Sequence, residues 1–214
     1  MKITSSLLLS VTLLALGASN AGAATIFSES MGTVSATTAI SAHESVGGFD
    51  NDAFTFSGTG DVRSTSPSSG YIGASGSANV YLAPNATKTF EIEDISTVGY
   101  TVGSIGITFG ASKNTTASDM TTLNLEYSTD GSSWAPLSIP AQPTGTGTSG
   151  WRLVSLSSTS IPISATLSLR WTNADTGTTQ YRVDDIALTG TAVPETSAAL
   201  LGALGVLGML RRRR

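Results

Sequence analysis

Between residues 24 and 192 hydrophobic side chains recur at every second position in short runs, the period of a half-buried strand. In "LNLEYS", Leu123, Leu125 and Tyr127 share one face, and Asn124 and Glu126 share the other. Asp130-Gly131 then supplies a hairpin turn, and Trp134 opens the return strand. "ATLSLRWTN" sets Leu167, Leu169 and Trp171 inward, with Ser168 and Arg170 outward. In "YTVGSIGITFG", Tyr100 and Val102 keep one parity while Ile105, Ile107 and Phe109 keep the other, so a bulge or turn is expected near Gly103. "YRVDDIALTG" shifts phase in the same way: Tyr181 and Val183 precede the change, and Ile186 and Leu188 follow it. Either Asp184-Asp185 forms a bulge, or one carboxylate points into the sandwich. Further strands are expected at 54–56, 79–82, 87–92, 151–156 and 180–188, with loops at 64–70 and 142–150. No internal stretch has a convincing helical period. About ten short strands joined by Gly/Ser/Thr/Asp turns predict an all-β, two-sheet sandwich.

Composition narrows this further. Only 12% of residues are charged, and cysteine is absent. The fold therefore has no disulfide, and thiolate catalysis and cysteine-bound zinc are excluded. Setting aside Lys2, Glu195 and Arg211 to Arg214, six basic residues face fourteen acidic ones, a balance near −8. So acidic a body argues against nucleic acid as a partner and favours association with cations.

Both ends depart from the strand pattern. Lys2 precedes an apolar stretch at 7–16, and Ala21-Gly22-Ala23 fits an A-x-A cleavage site. Residues 1–23 thus read as a secretory signal helix cut after Ala23. At the other end, 198–210 is an uncharged run of 13 residues, followed by Arg211, Arg212, Arg213 and Arg214. As a helix it is about 20 Å long, against a hydrocarbon core of about 30 Å. Gly202, Gly205 and Gly208 weaken it, and the arginines resist translocation. The body is then expected outside the inner membrane.

Val193-Pro194-Glu195, a short Leu/Gly/Ala helix and a terminal arginine cluster resemble a PEP-CTERM sorting signal, with Thr196 where the usual second proline would stand. The resemblance implies a partner: exosortase, a membrane-embedded processing enzyme with a cysteine nucleophile. It also implies a transient stay in the inner membrane, with residues 193–214 as a sorting tail behind a 24–192 sandwich. A permanent tail anchor is the alternative.

"GDVRSTSPSSGYIGASG", "YSTDGSSW" and "LRWTNADTGTTQYRVDDIALTG" resemble a jelly-roll module of exported bacterial proteins, similar to galactose-binding-like and lectin-like sandwiches. Such modules carry a structural calcium between first and last strands, which would join Asp184 or Asp185 to Glu29; hard oxygen donors suit that ion. Among aromatics, Trp171 is in phase with the core, whereas Trp134, Trp151 and Tyr71 border loops and are candidates for stacking on sugar rings. Glu91 and Glu93 flank inward Phe90 and Ile92 and read as the wet face of a strand, and the acidic "DND" at 50–52 is broken as an EF-hand by Phe54. His43 is the only histidine, has no supporting motif, and reads as a loop residue. The expected function is structural or adhesive at the cell surface or in the matrix, with exopolysaccharide as ligand and no catalysis. A small secreted glycan hydrolase is the rival.

Overall fold

The computed structural model describes residues 22–84, 87–157 and 160–194. The signal helix, Ala21, Glu195, the apolar segment of the expected transmembrane helix and Arg211 to Arg214 lie outside the described residues. Among the described residues no helix is long and apolar enough to cross a membrane.

The compact unit spans Gly22–Val193 and is an all-β jelly-roll sandwich. One sheet orders β10 (Gly150–Leu156), β7 (Gly106–Lys113), β12 (Tyr181–Thr191), β5 (Asn79–Leu82), β4 (Asp61–Arg63) and β2 (Thr38–Ala39). β1 (Ala23–Glu29) joins this sheet along the second half of β12. The other sheet orders β3 (Thr55–Ser57), β6 (Thr89–Ile95), β11 (Leu167–Asn173), β8 (Leu123–Ser128) and β9 (Ala135–Leu137). Every pairing between these strands is antiparallel.

Alternation decides what each strand buries. Ile107, Phe109 and Ala111 of β7 face inward beside Val183, Ile186 and Leu188 of β12. Opposite them lie Phe90 and Ile92 of β6, Leu169 and Trp171 of β11, and Leu125 of β8. An aromatic series runs through this core: Phe49 stacks on Phe56 at 4.1 Å, Phe56 on Phe90 at 6.2 Å, and Trp171 lies 5.9 Å from Phe90 and 5.6 Å from Phe109 across the sheets.

The β8–β9 hairpin forms as its sequence predicts. Gly131 takes φ +70, and the Asp130 carboxylate accepts the Ser132 and Ser133 amides at 2.8 and 2.7 Å. Those donors hold Asp130 below the ordinary aspartate range. The phase change near Gly103 is a turn rather than a bulged strand, for Tyr100 makes only an isolated bridge, to Ala192. His43 corrects the sequence reading. It lies in a short helix, α1 (Ile40–Glu44), buried edge-on against Phe49, with Nε2 3.1 Å from the Met31 carbonyl.

Candidate functional site

Four strands of the first sheet present one outward row: Trp151 of β10 opposite Ser112, Ser112 opposite Arg182, and Arg182 opposite Tyr81. Tyr81 is covered from above by two guanidiniums, with Arg63 3.6 Å and Arg182 5.1 Å from its ring centroid. The connection between β4 and β5 then folds across this face. Its Thr65 carbonyl accepts Arg182 Nη1 at 3.0 Å, and its Ser66 carbonyl accepts the Trp151 indole N–H at 3.0 Å.

The same connection covers the acidic pair. The β12 register slips between Asp184 and Ala187, and Asp185 adopts φ +49, so the bulge expected from the phase change is present. Asp184 keeps the outward parity of Arg182. Its carboxylate is fully buried outside the core, beneath the connection, where it accepts its neighbour's amide at 2.8 Å and faces Ser75 Oγ at 3.5 Å. Burial, then repulsion from Asp185, raises it to about 7. Asp185 accepts the Tyr71 hydroxyl and the Ser75 amide, the latter at 3.2 Å. The Tyr71 phenol meets the backbone at Gly110, where any Cβ would strike it. Burial and the Asp185 carboxylate hold its ionisation well above the usual value. Tyr71 is thus a tie between loop and sheet, not a free platform for stacking.

Glu29 ends β1 opposite Ile186. Its two oxygens accept the Asp50 and Asn51 amides, each at 3.0 Å, while burial lifts its pKa to about 7 despite those donors and the adjacent Asp50 adds to the rise. Ser30 Oγ donates to Asp50. Glu29, Asp50 and Asp185 line one pocket of about 280 Å³ with Ser28, Ser30 and Gly73. Asp184 does not line it, and among the described residues no three acidic or imidazole side chains converge on one ion-sized point. Asp50, read in sequence only as a broken EF-hand start, is the acid nearest Glu29 in this pocket.

The two remaining aromatic candidates differ. Trp134 lies 3.9 Å above the Arg170 guanidinium, which donates from Nε and Nη2 to the one Glu126 oxygen Oε2 at 3.0 and 2.8 Å and lies 4.0 Å from Glu91. Glu91 and Glu93 occupy the outer face as expected, and burial outweighs Arg170 in raising Glu91. Trp151 borders an open groove of about 310 Å³ that includes Ser112, Asn114, Ser149, Gln180 and Arg182. Its ring is half-buried and fixed in rotation by the bond to Ser66. Two features escaped the sequence reading: the guanidinium cover on Tyr81, and Lys113, which is buried with its ammonium on the Ser118 and Pro143 carbonyls. Strand parity alone places Tyr81 outward beside Arg182, but only the pairing of β4, β5 and β12 brings Arg63 over the same ring.

No family model and no curated protein matches the chain. Several solved structures resemble it. TmCBM61 in complex with beta-1,4-galactotriose is 15% identical, covers 63% of this chain and 86% of its own, and has a TM-score of 0.36. The CBM22-1 xylan-binding domain from Paenibacillus barcinonensis is 11% identical, with coverage of 80% and 97% and a TM-score of 0.40. An adhesin domain of Lys-gingipain from Porphyromonas gingivalis is 11% identical, with coverage of 77% and 98% and a TM-score of 0.43.

Proposed function

We propose that the chain is an exported, non-catalytic sandwich of the cell surface or extracellular matrix that binds polysaccharide at the Trp151 groove. Residues 193–214 act as a sorting tail, held transiently in the inner membrane and read by an exosortase-like enzyme. The groove carries the reading. An indole is held rigidly at the rim of a wide, shallow, uncharged-to-basic trough, beside the Gln180 amide and the Ser112 and Ser149 hydroxyls. A sugar ring offers an apolar C–H face for the indole and hydroxyls for the amide and serines. The cation at Arg182 is already committed to Thr65 and Asn79, which makes it part of the wall.

The test is binding of the full-length protein to a glycan array and to gels cast with soluble polysaccharides, with hydrolysis products assayed in parallel. Trp151→Ala is expected to weaken binding about tenfold or more, the scale of a central aromatic contact, while Trp134→Ala leaves it unchanged. Equal binding by Trp151→Ala, or turnover of the glycan, would overturn the proposal.

A calcium ion belongs to the same reading. Glu29, Asp50 and Asp185 line one pocket without converging on a single point, so a hard cation would have to draw their carboxylates together; Glu29 is costly to bury as an uncompensated anion. The ion would supply that compensation and cross-brace the first strand to the last.

A further inference from the structure

We propose that the end of the sandwich from which the chain departs is a membrane-facing tip, resting on the phospholipid surface through Val98, Val102 and Val193 while the tail is inserted. The proposal rests on reading residues 193–214 as a membrane-held tail. Residues 97–104 leave the second sheet and fold over the end of β12. Thr101 N–H donates to the Thr191 carbonyl at 2.8 Å, Tyr100 bridges Ala192, and Val193 N–H donates to the Gly99 carbonyl at 2.8 Å. The valines are therefore held on a fixed backbone, yet Val98 is 60% exposed, Val102 79% and Val193 53%. All three lie on backbone tied at or next to the point of exit.

Charge singles out the same end. No ionisable side chain except Tyr100 occurs in residues 22–26, 95–108, 154–168 or 187–194, the segments nearest the exit; Asp94 and Asp130 are the flanking acids. In a body with a balance near −8, this end brings few carboxylates toward a headgroup layer. Tyr100 lies at the tip with its ring against Gly190, and a half-buried tyrosine suits interfacial depth. Chain length adds a constraint. Ala198, where the apolar run begins, is five residues beyond Val193. Fully extended, that linker reaches roughly 17 Å, so an inserted run draws the tip to the headgroups.

The chain has no cysteine, so single labelling sites are clean. Val98→Cys, Val102→Cys, Val46→Cys and Val206→Cys are each labelled with an environment-sensitive fluorophore in the full-length protein. The proteins are then reconstituted into phosphatidylcholine liposomes containing spin-labelled lipid. Val46, 76% exposed on the Glu29 side of the sandwich, is the water-facing control. Labels at 98 and 102 are expected to shift to the blue and be quenched by the lipid spin label, with the label at 206 quenched and the label at 46 unaffected. If 98 and 102 behave like 46 while 206 is quenched, the tip proposal is overturned and the tail reading stands. If 206 is not quenched, the tail reading fails and the tip proposal with it.

Discussion

Asp184 turns its carboxylate away from the core, and the connection between β4 and β5 closes over it. Folding therefore favours the protonated acid there, as it does at Glu29: both rise from the ordinary 3.8 and 4.5 to about 7. The linkage sign follows. A carboxyl raised on folding contributes stability that is whole below its unfolded pKa and is lost as pH climbs to the folded value. In chelator, the melting temperature is expected to fall from about pH 4 to pH 7 and then level, apart from groups titrating elsewhere. Asp184→Asn should flatten the part of that slope due to Asp184 and stand several degrees above wild type at pH 7.5. About 1 kcal/mol moves the midpoint of a domain this size by roughly 2–4 °C. Thermal unfolding across that pH range checks it, and an unchanged slope in Asp184→Asn would mean the buried acid is compensated. At this scale the acidic pair, the core Trp171 and the rim Trp151 were legible, because parity and flanking loops reveal them. His43 was not. Its burial comes from Met31 and Phe49, which lie away from it along the chain and leave no local signature.

Most strands were legible as elements because the sandwich has a wet and a dry face, and period-two alternation records that difference directly. The expected 79–82 strand coincides with β5, and 151–156 differs from β10 by one residue. The alternation did not reveal β1, because its "AATIFSE" adjoins the cleavage site and invites reading as a boundary, and only the resemblance put Glu29 on a first strand; β2 and β4, of two and three residues, are too short to show a period. The loop that roofs the first sheet was legible as a loop, but not where it lies. Its position is helped by Gly110, whose lack of a side chain lets the phenol of Tyr71 meet the backbone of β7. β1 has a consequence for the ion. It runs antiparallel to β12 from Ala23 opposite Thr191 to Glu29 opposite Ile186, so a cation on Glu29, Asp50 and Asp185 would brace that pairing at its inner end. Millimolar calcium at pH 7 is expected to raise the melting temperature, magnesium much less, and Glu29→Gln is expected to abolish the response. A midpoint indifferent to calcium would show that the loop amides alone hold these acids.

On the scale of the whole molecule, the antiparallel pairing of β1 with β12 brings the entry and exit of the sandwich side by side, since Ala23 faces Thr191. A cut after Ala23 removes only the outermost pair of that ladder, and Ala23 and Ala24 are exposed. Phe27, the inward aromatic of β1, and Glu29 remain. On the other side Val193 is the last residue tied to the sandwich by a described hydrogen bond, to Gly99, so the Pro194-Glu195 pair begins where that tie stops. Under the proposed processing, both cuts would fall at the margin of the folded unit, where cleavage costs the core nothing. The protein isolated from its own cells is expected to begin at Ala24 and to lack Arg211 to Arg214, with an unfolding midpoint equal to that of a recombinant 22–193 chain. Intact mass together with calorimetry reads both. A mature protein that still carries the four arginines and sediments with the inner membrane would make the tail a lasting anchor. A mature start beyond Glu29 would contradict the seven-stranded sheet, because β12 would lose β1 along residues 186–191 and keep only β7 there.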